Sequence, residues 1–102
     1  MSNLSRAIKV KPLHVDLSRT FIRRTDLSGA NLEGANLSYA DSKNANFRGA
    51  NFKDAILDGT VLIGADLSDV RNLTREQLAK AVIDETTILP AGLKDKVRPV
   101  DR

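Results

Sequence analysis

The sequence predicts an all-β solenoid, a coil of short extended runs finished by a short α-helix. Three observations lead there. From Val15 to Asp69 the 102-residue chain divides into eleven blocks of five in one unbroken register. The third residue of ten blocks is Leu, Ile or Phe. Five blocks end in glycine, at Gly29, Gly34, Gly49, Gly59 and Gly64.

The blocks read VDLSR, TFIRR, TDLSG, ANLEG, ANLSY, ADSKN, ANFRG, ANFKD, AILDG, TVLIG and ADLSD. Their first residue is Ala, Thr or Val throughout, and the second is Asp or Asn in eight. A period of five suits neither common element. On a helix it would advance the side chain by about 140°, so the leucines would spiral round the rod. On a continuous strand it would send successive leucines to opposite faces. A chain that runs extended for three residues and then turns a corner buries the first and third positions together. Glycine at the fifth position relaxes the backbone at that corner. The predicted interior ladder is Leu17, Ile22, Leu27, Leu32, Leu37, Phe47, Phe52, Leu57, Leu62 and Leu67, with Ser42 as the one polar member.

These blocks resemble the pentapeptide-repeat family, built from tandem A(D/N)LXX units, over residues 15–69. The resemblance implies a right-handed quadrilateral parallel β-helix with four blocks per turn, hence about 2.75 coils. At ~4.8 Å between neighbouring strands, such a stack stands about 13 Å tall.

The flanks complete the plan. Thr74-Arg75-Glu76-Gln77 has the capping-box pattern that starts a helix. Leu78, Ala81 and Val82 then share one face, which predicts a helix over about 75–83 within a C-terminal cap at 70–90. Asn72 to Leu78, followed by Thr87-Ile88-Leu89-Pro90, looks like the C-terminal end of many bacterial family members. A coil's last turn has unpaired backbone and an open apolar end, so a cover is needed. Residues 1–14 are expected to cover the other end through Leu4, Ala7 and Ile8, and residues 91–102 read as a loose charged tail.

Composition narrows the chemistry. There is no cysteine and one histidine, His14, which removes disulfides, thiolate sites and conventional triads. No phosphate loop, dinucleotide fingerprint or zinc spacing occurs, so neither an enzyme nor a cofactor or metal is expected. Ser42 reads as a hydroxyl bonded to a neighbouring carbonyl rather than a nucleophile, since no base is placed to activate it. His14 reads as part of a cap. The second-position Asp and Asn residues are expected to bond backbone at the turns. The N-terminus lacks a secretory apolar run and no stretch reaches ~18 apolar residues, so a soluble cytoplasmic protein is expected, with no membrane partner.

Stacking at a period of twenty places the blocks in four columns. One side collects Phe21, Arg23 and Arg24, then Asp41, Lys43 and Asn44, then Val61 and Ile63. The preceding side adds Arg19, Tyr39 and Ile56 near the shared edge. All three apolar departures from second-position Asp or Asn, namely Phe21, Ile56 and Val61, fall on these two sides. An apolar cluster rimmed by cations is the composition of a protein-binding surface. The alternative is that the chain's own caps cover it.

Three functional readings follow. The first is a non-catalytic scaffold or protein-interaction module acting through a rigid face. The second comes from the resemblance, since some family members protect DNA gyrase by imitating duplex DNA. That wants a long acidic rod, whereas residues 15–69 carry eight acids and six bases, and one turn of DNA spans ~34 Å. An end-to-end homodimer through the C-terminal region would lengthen the rod. The third reading, direct nucleic-acid binding through Arg19, Arg23, Arg24 and Lys43 with Tyr39, offers few cations and a single tyrosine. Another protein is the expected partner.

Overall fold

Every twenty residues the backbone returns to lie one level above itself. In the computed structural model, which describes residues 14–93, single-residue parallel bridges join Asp16 to Asn36 and Asn36 to Ile56 on the first side. The second side runs Phe21, Asp41, Val61 and Val82; the third Asp26, Asn46, Asp66 and Ile88; the fourth Asn31, Asn51 and Arg71. Each rung is one bridge long because the chain turns a corner every five residues.

The hydrogen bonds show why the period is five. The third-residue N–H donates upward to the second-position carbonyl of the next coil, as Leu17 does to Asn36 at 2.8 Å. The second-residue N–H donates downward to a first-position carbonyl, as Asn36 does to Val15 at 2.9 Å. Between these rungs the first residue of each block after the first donates to the third-position carbonyl of the block before, which closes a β-turn. The fifth residue of all eleven blocks has positive φ, from 57° at Arg24 to 73° at Gly64. Positive φ confined to the residue before the last of a turn is the type II requirement.

The second-position Asp and Asn side chains lock the same corners. Asp16, Asp26, Asn31, Asn36, Asp41, Asn46, Asn51 and Asp66 each accept a bond from the N–H two residues on. Where Ser follows, its hydroxyl adds a second bond, as Ser28 does to Asp26 at 2.6 Å. The carboxyl groups respond. The Ser18 hydroxyl, then its amide, hold Asp16 below its ordinary value; Ser28 does the same for Asp26, and Thr86 for Asp84. Partial desolvation opposes the charge on Asp41 and Asp66. It is outweighed by Arg23 and the Lys43 amide at Asp41, and by Ser68 and Arg48 at Asp66.

Depressed folded values mean that the unfolded chain takes up protons first as pH falls. The resulting stability is complete above the ordinary Asp value of 3.8 and is lost as pH drops through the lower folded values. The thermal midpoint should therefore be level from about pH 7 to about pH 5 and fall below about pH 4. Asp26→Asn with Asp66→Asn keeps the accepting oxygen, as Asn36 does with Ser38, and should flatten the fall. An equally steep acid loss in that double variant would show that these turns do not carry it.

The interior is the ladder of first and third positions. Leu32, Leu37, Phe47, Phe52, Leu57, Leu62 and Leu67 are buried, beside Ala35, Ala40, Ala45, Ala50, Ala55, Thr60 and Ala65. Leu17, Ile22 and Leu27 pack against this core but are half-buried, because among the described residues the first coil has a neighbour on one side only. Phe47 and Phe52 meet edge to face, 5.4 Å between centroids. Small Ser42 shares their coil with Leu37, so two rings, one leucine and one small side chain fill that level.

The C-terminal cap differs from the expectation. Helix α1 spans Arg75–Ala79, not 75–83. Its start is the expected capping box, with Thr74 accepting from the Gln77 N–H and the Gln77 side chain accepting from the Thr74 N–H. It ends early because the coil needs the following backbone. The Lys80 carbonyl accepts from Gly59, while Val82 donates to Thr60 and accepts from Leu62. Ile88 repeats this between Ala65 and Leu67. Bridging thus extends past Asp69 to Ile88.

The top of the coil closes by a substitution of donors. First-position carbonyls wait for an amide from the level above. Ala50 receives Arg71, Thr60 receives Val82 and Ala65 receives Ile88. Ala55 has α1 above it, and the Gln77 Nε2 supplies the missing donor at 2.9 Å, with a second bond of 2.9 Å to Phe52. Leu78 fills the apolar opening and is buried. The expected tail begins with a 3₁₀ turn, Ala91–Leu93. The N-terminal cap segment, apart from His14, and residues 94–102 lie outside the described residues.

Candidate protein-binding face

The second side and its two corners hold most of the singled-out residues. Phe21 occupies a second position, where it cannot accept the turn bond that Asp or Asn provides. The residue is 83 % exposed. Directly above it Asp41 accepts from Arg23, whose Nε and Nη2 both reach one carboxylate oxygen at 2.7 Å. Arg24 is exposed and Lys43 half-buried on the same side. At the corner shared with the first side, the Arg19 guanidinium lies 4.8 Å from the centre of the Tyr39 ring. Tyr39 is 57 % exposed and leans over Gly59, where a Cβ would collide with the ring.

Higher up the side the composition changes. Val61 is bridged to Val82 and half-buried, and Ile63 is half-buried. Ile56 lies on the first side beneath the cap and keeps 44 % exposure. The structure thus brings Arg19, Phe21, Arg23, Arg24, Tyr39 and Lys43 together on the lower two coils. It sets Ile56, Val61 and Ile63 apart beside the cap. Val82, expected on a face of the cap helix, instead bridges Val61 on the second side and is 45 % exposed.

Two further residues are singled out in the sequence, Ser42 and His14. Ser42 is fully buried and donates to the Val61 carbonyl at 2.6 Å. His14 is exposed, with its ring over Gly34 at a corner. Among the described residues no group of three His, Cys, Asp or Glu side chains is placed to hold a metal ion. No helix there is long and apolar enough to cross a membrane.

Comparison with known proteins agrees with this geometry. The family model for pentapeptide repeats matches residues 14–41 and 43–75, in eight copies. The chain belongs to the pentapeptide-repeat family. A solved pentapeptide repeat protein, Rfr23 from the cyanobacterium Cyanothece 51142, superposes with a TM-score of 0.66 at 28 % identity. The match covers 76 % of this chain and 52 % of that one, so this pentapeptide-repeat chain spans about half its length. A second, alr5209 from Nostoc Pcc 7120, matches at 25 % identity over 76 % of this chain and 75 % of its own, with a TM-score of 0.33. No curated protein matches. Family and neighbour together give a β-helix solenoid.

Proposed function

We propose that this pentapeptide-repeat chain is a non-catalytic scaffold that binds another protein through the second side of its coil. The observation that carries the reading is Phe21, an exposed aromatic at a position where eight of eleven blocks keep a turn-forming Asp or Asn. A side chain that gives up a local hydrogen bond and gains no burial contributes nothing to the coil. Its neighbours Arg19, Arg23, Arg24 and Tyr39 are of the types that carry binding energy at protein interfaces. Absence of cysteine suits a reducing bacterial cytoplasm. The coil is taken as right-handed, the sense adopted by about 98 % of parallel strand connections.

Imitation of DNA towards a topoisomerase such as gyrase is the weaker reading, because this side presents cations where a mimic presents carboxylates. The test is affinity capture from host lysate with the wild type beside Phe21→Ser/Arg24→Ser. Both sites are exposed, so the variant should melt within a few degrees of the wild type. A protein retained by the wild type and lost from the variant is the expected result. Equal capture by both would overturn the placement, and recovery of gyrase subunits would favour mimicry.

A further inference from the structure

The corners of the coil give a second, independent pointer to the same side. A fifth-position residue with positive φ is favoured as glycine, and an ordinary side chain there costs about 1–2 kcal/mol. In the first two coils, the two corners remote from the second side hold Gly29, Gly34, Gly49 and Asp54. The two corners that border it hold Arg19 and Tyr39 on one edge and Arg24 and Asn44 on the other, with φ of 57–59°. Glycine returns to both edges in the third coil, at Gly59 and Gly64, where a Cβ would strike the Tyr39 ring and the Asn44 amide. At the two levels that carry Phe21, Arg23 and Lys43, all four corners bordering this side therefore hold a side chain at positive φ, against Asp54 alone of the four remote corners. Unfavourable backbone kept in place collects at binding sites.

The charge of this patch is one-signed once its ion pair is removed. Arg23 is bound to Asp41. Among the described residues no carboxylate lies within ion-pair distance of Arg19, Arg24 or Lys43. The patch is then an exposed Phe ring and a Tyr ring between three cations. Phosphates alone would not need the exposed Phe, and three cations release few counterions. We propose that this two-coil patch binds an acidic protein segment, with an apolar side chain of the partner against Phe21 and Tyr39 and its carboxylates on Arg24, Lys43 and Arg19. This rests on the protein-binding reading and names the chemistry of the partner.

The experiment selects a displayed library of random twelve-residue peptides on the immobilised full chain, then measures enriched peptides by fluorescence anisotropy. Enriched sequences are expected to be net acidic with at least one aliphatic or aromatic residue, and to bind more weakly as NaCl is raised. Affinity should fall at least about tenfold when their Asp and Glu are replaced by Asn and Gln. It should fall as far with Phe21→Ser or Arg24→Ser, both exposed and each checked by its melt. Enriched peptides that are neutral or basic yet still need Phe21 would overturn the acidic partner and leave the protein-binding reading standing. Binding untouched by either substitution, or no enrichment, would overturn both. Tighter binding of a 20-base-pair duplex or of vesicles containing phosphatidylserine than of any selected peptide would assign the cations to phosphate instead.

Discussion

Leu37→Asp should leave the chain without a cooperatively folded state at room temperature. Leu37 is fully buried at the middle level, between Leu17 below and Leu57 above. The groups beside it are already paired: its N–H donates to Ile56, and its carbonyl accepts from Ala40 and from Thr60 Oγ1 at 2.7 Å. A carboxylate there would have no donor to turn to, and burying it costs several kcal/mol. Loss of the leucine's burial adds roughly 1.5–3 kcal/mol. Against a total of about 5–15 kcal/mol for a domain of this class, that is enough to unfold it. Leu17→Asp makes the same chemical change at the same column, but at a half-buried position, and should lower the melting midpoint without abolishing it. Circular dichroism melts of both decide the matter. A Leu37→Asp protein melting with the wild type would show the inward register to be wrong.

Gln77→Glu should destabilise the chain by about 2–3 kcal/mol at neutral pH while leaving the start of α1 intact. The capping box needs an accepting oxygen at this position, which glutamate retains. The Ala55 and Phe52 carbonyls need the Nε2 donor, which glutamate lacks. Phe52 keeps a bond from the Ala55 N–H, whereas Ala55 keeps no other donor among the described residues. A carboxylate facing two carbonyl oxygens is held in its protonated form, and a protonated glutamate can donate again. The variant's acid therefore has a raised folded value, so its penalty is absent below the unfolded glutamate value near ~4.3 and grows as pH rises through the folded one. The gap in melting midpoint between variant and wild type should narrow from about pH 7 to about pH 5. A gap independent of pH, or none, would mean that Gln77 does not close the coil.

The coil was legible in the sequence because each level repeats the last. Position, interior and turn bonds all follow from a five-residue register, and the eight second-position Asp and Asn side chains do what short acceptors do beside a turn. Glycine marked five corners. The other six, including Arg19 and Tyr39, adopt the same backbone without the residue that announces it. The closing level was not legible. Arg71, Val82 and Ile88 serve as its rungs at spacings that share no period, and Val82 sits in a pattern that continues a helix equally well. Its amide goes to Thr60 because a carbonyl there lacks a partner, a demand set by the fold rather than by neighbouring residues. For the same reason the apolar departures Phe21, Ile56 and Val61 could be found from the pattern, but not sorted into those beside the cap and those clear of it.

Twenty residues is the natural increment by which this chain can grow or shrink. The cap meets one level of coil, through the carbonyls of Ala50, Ala55, Thr60 and Ala65, and takes no account of how many lie beneath. Adding five residues would turn α1 a quarter revolution about the long axis relative to Phe21. Adding twenty would lift it one storey and leave its bearing unchanged. The distance between the cap and the exposed ring is thus adjustable in storeys while their relative direction is kept, so the same two ends can be offered to partners at different heights.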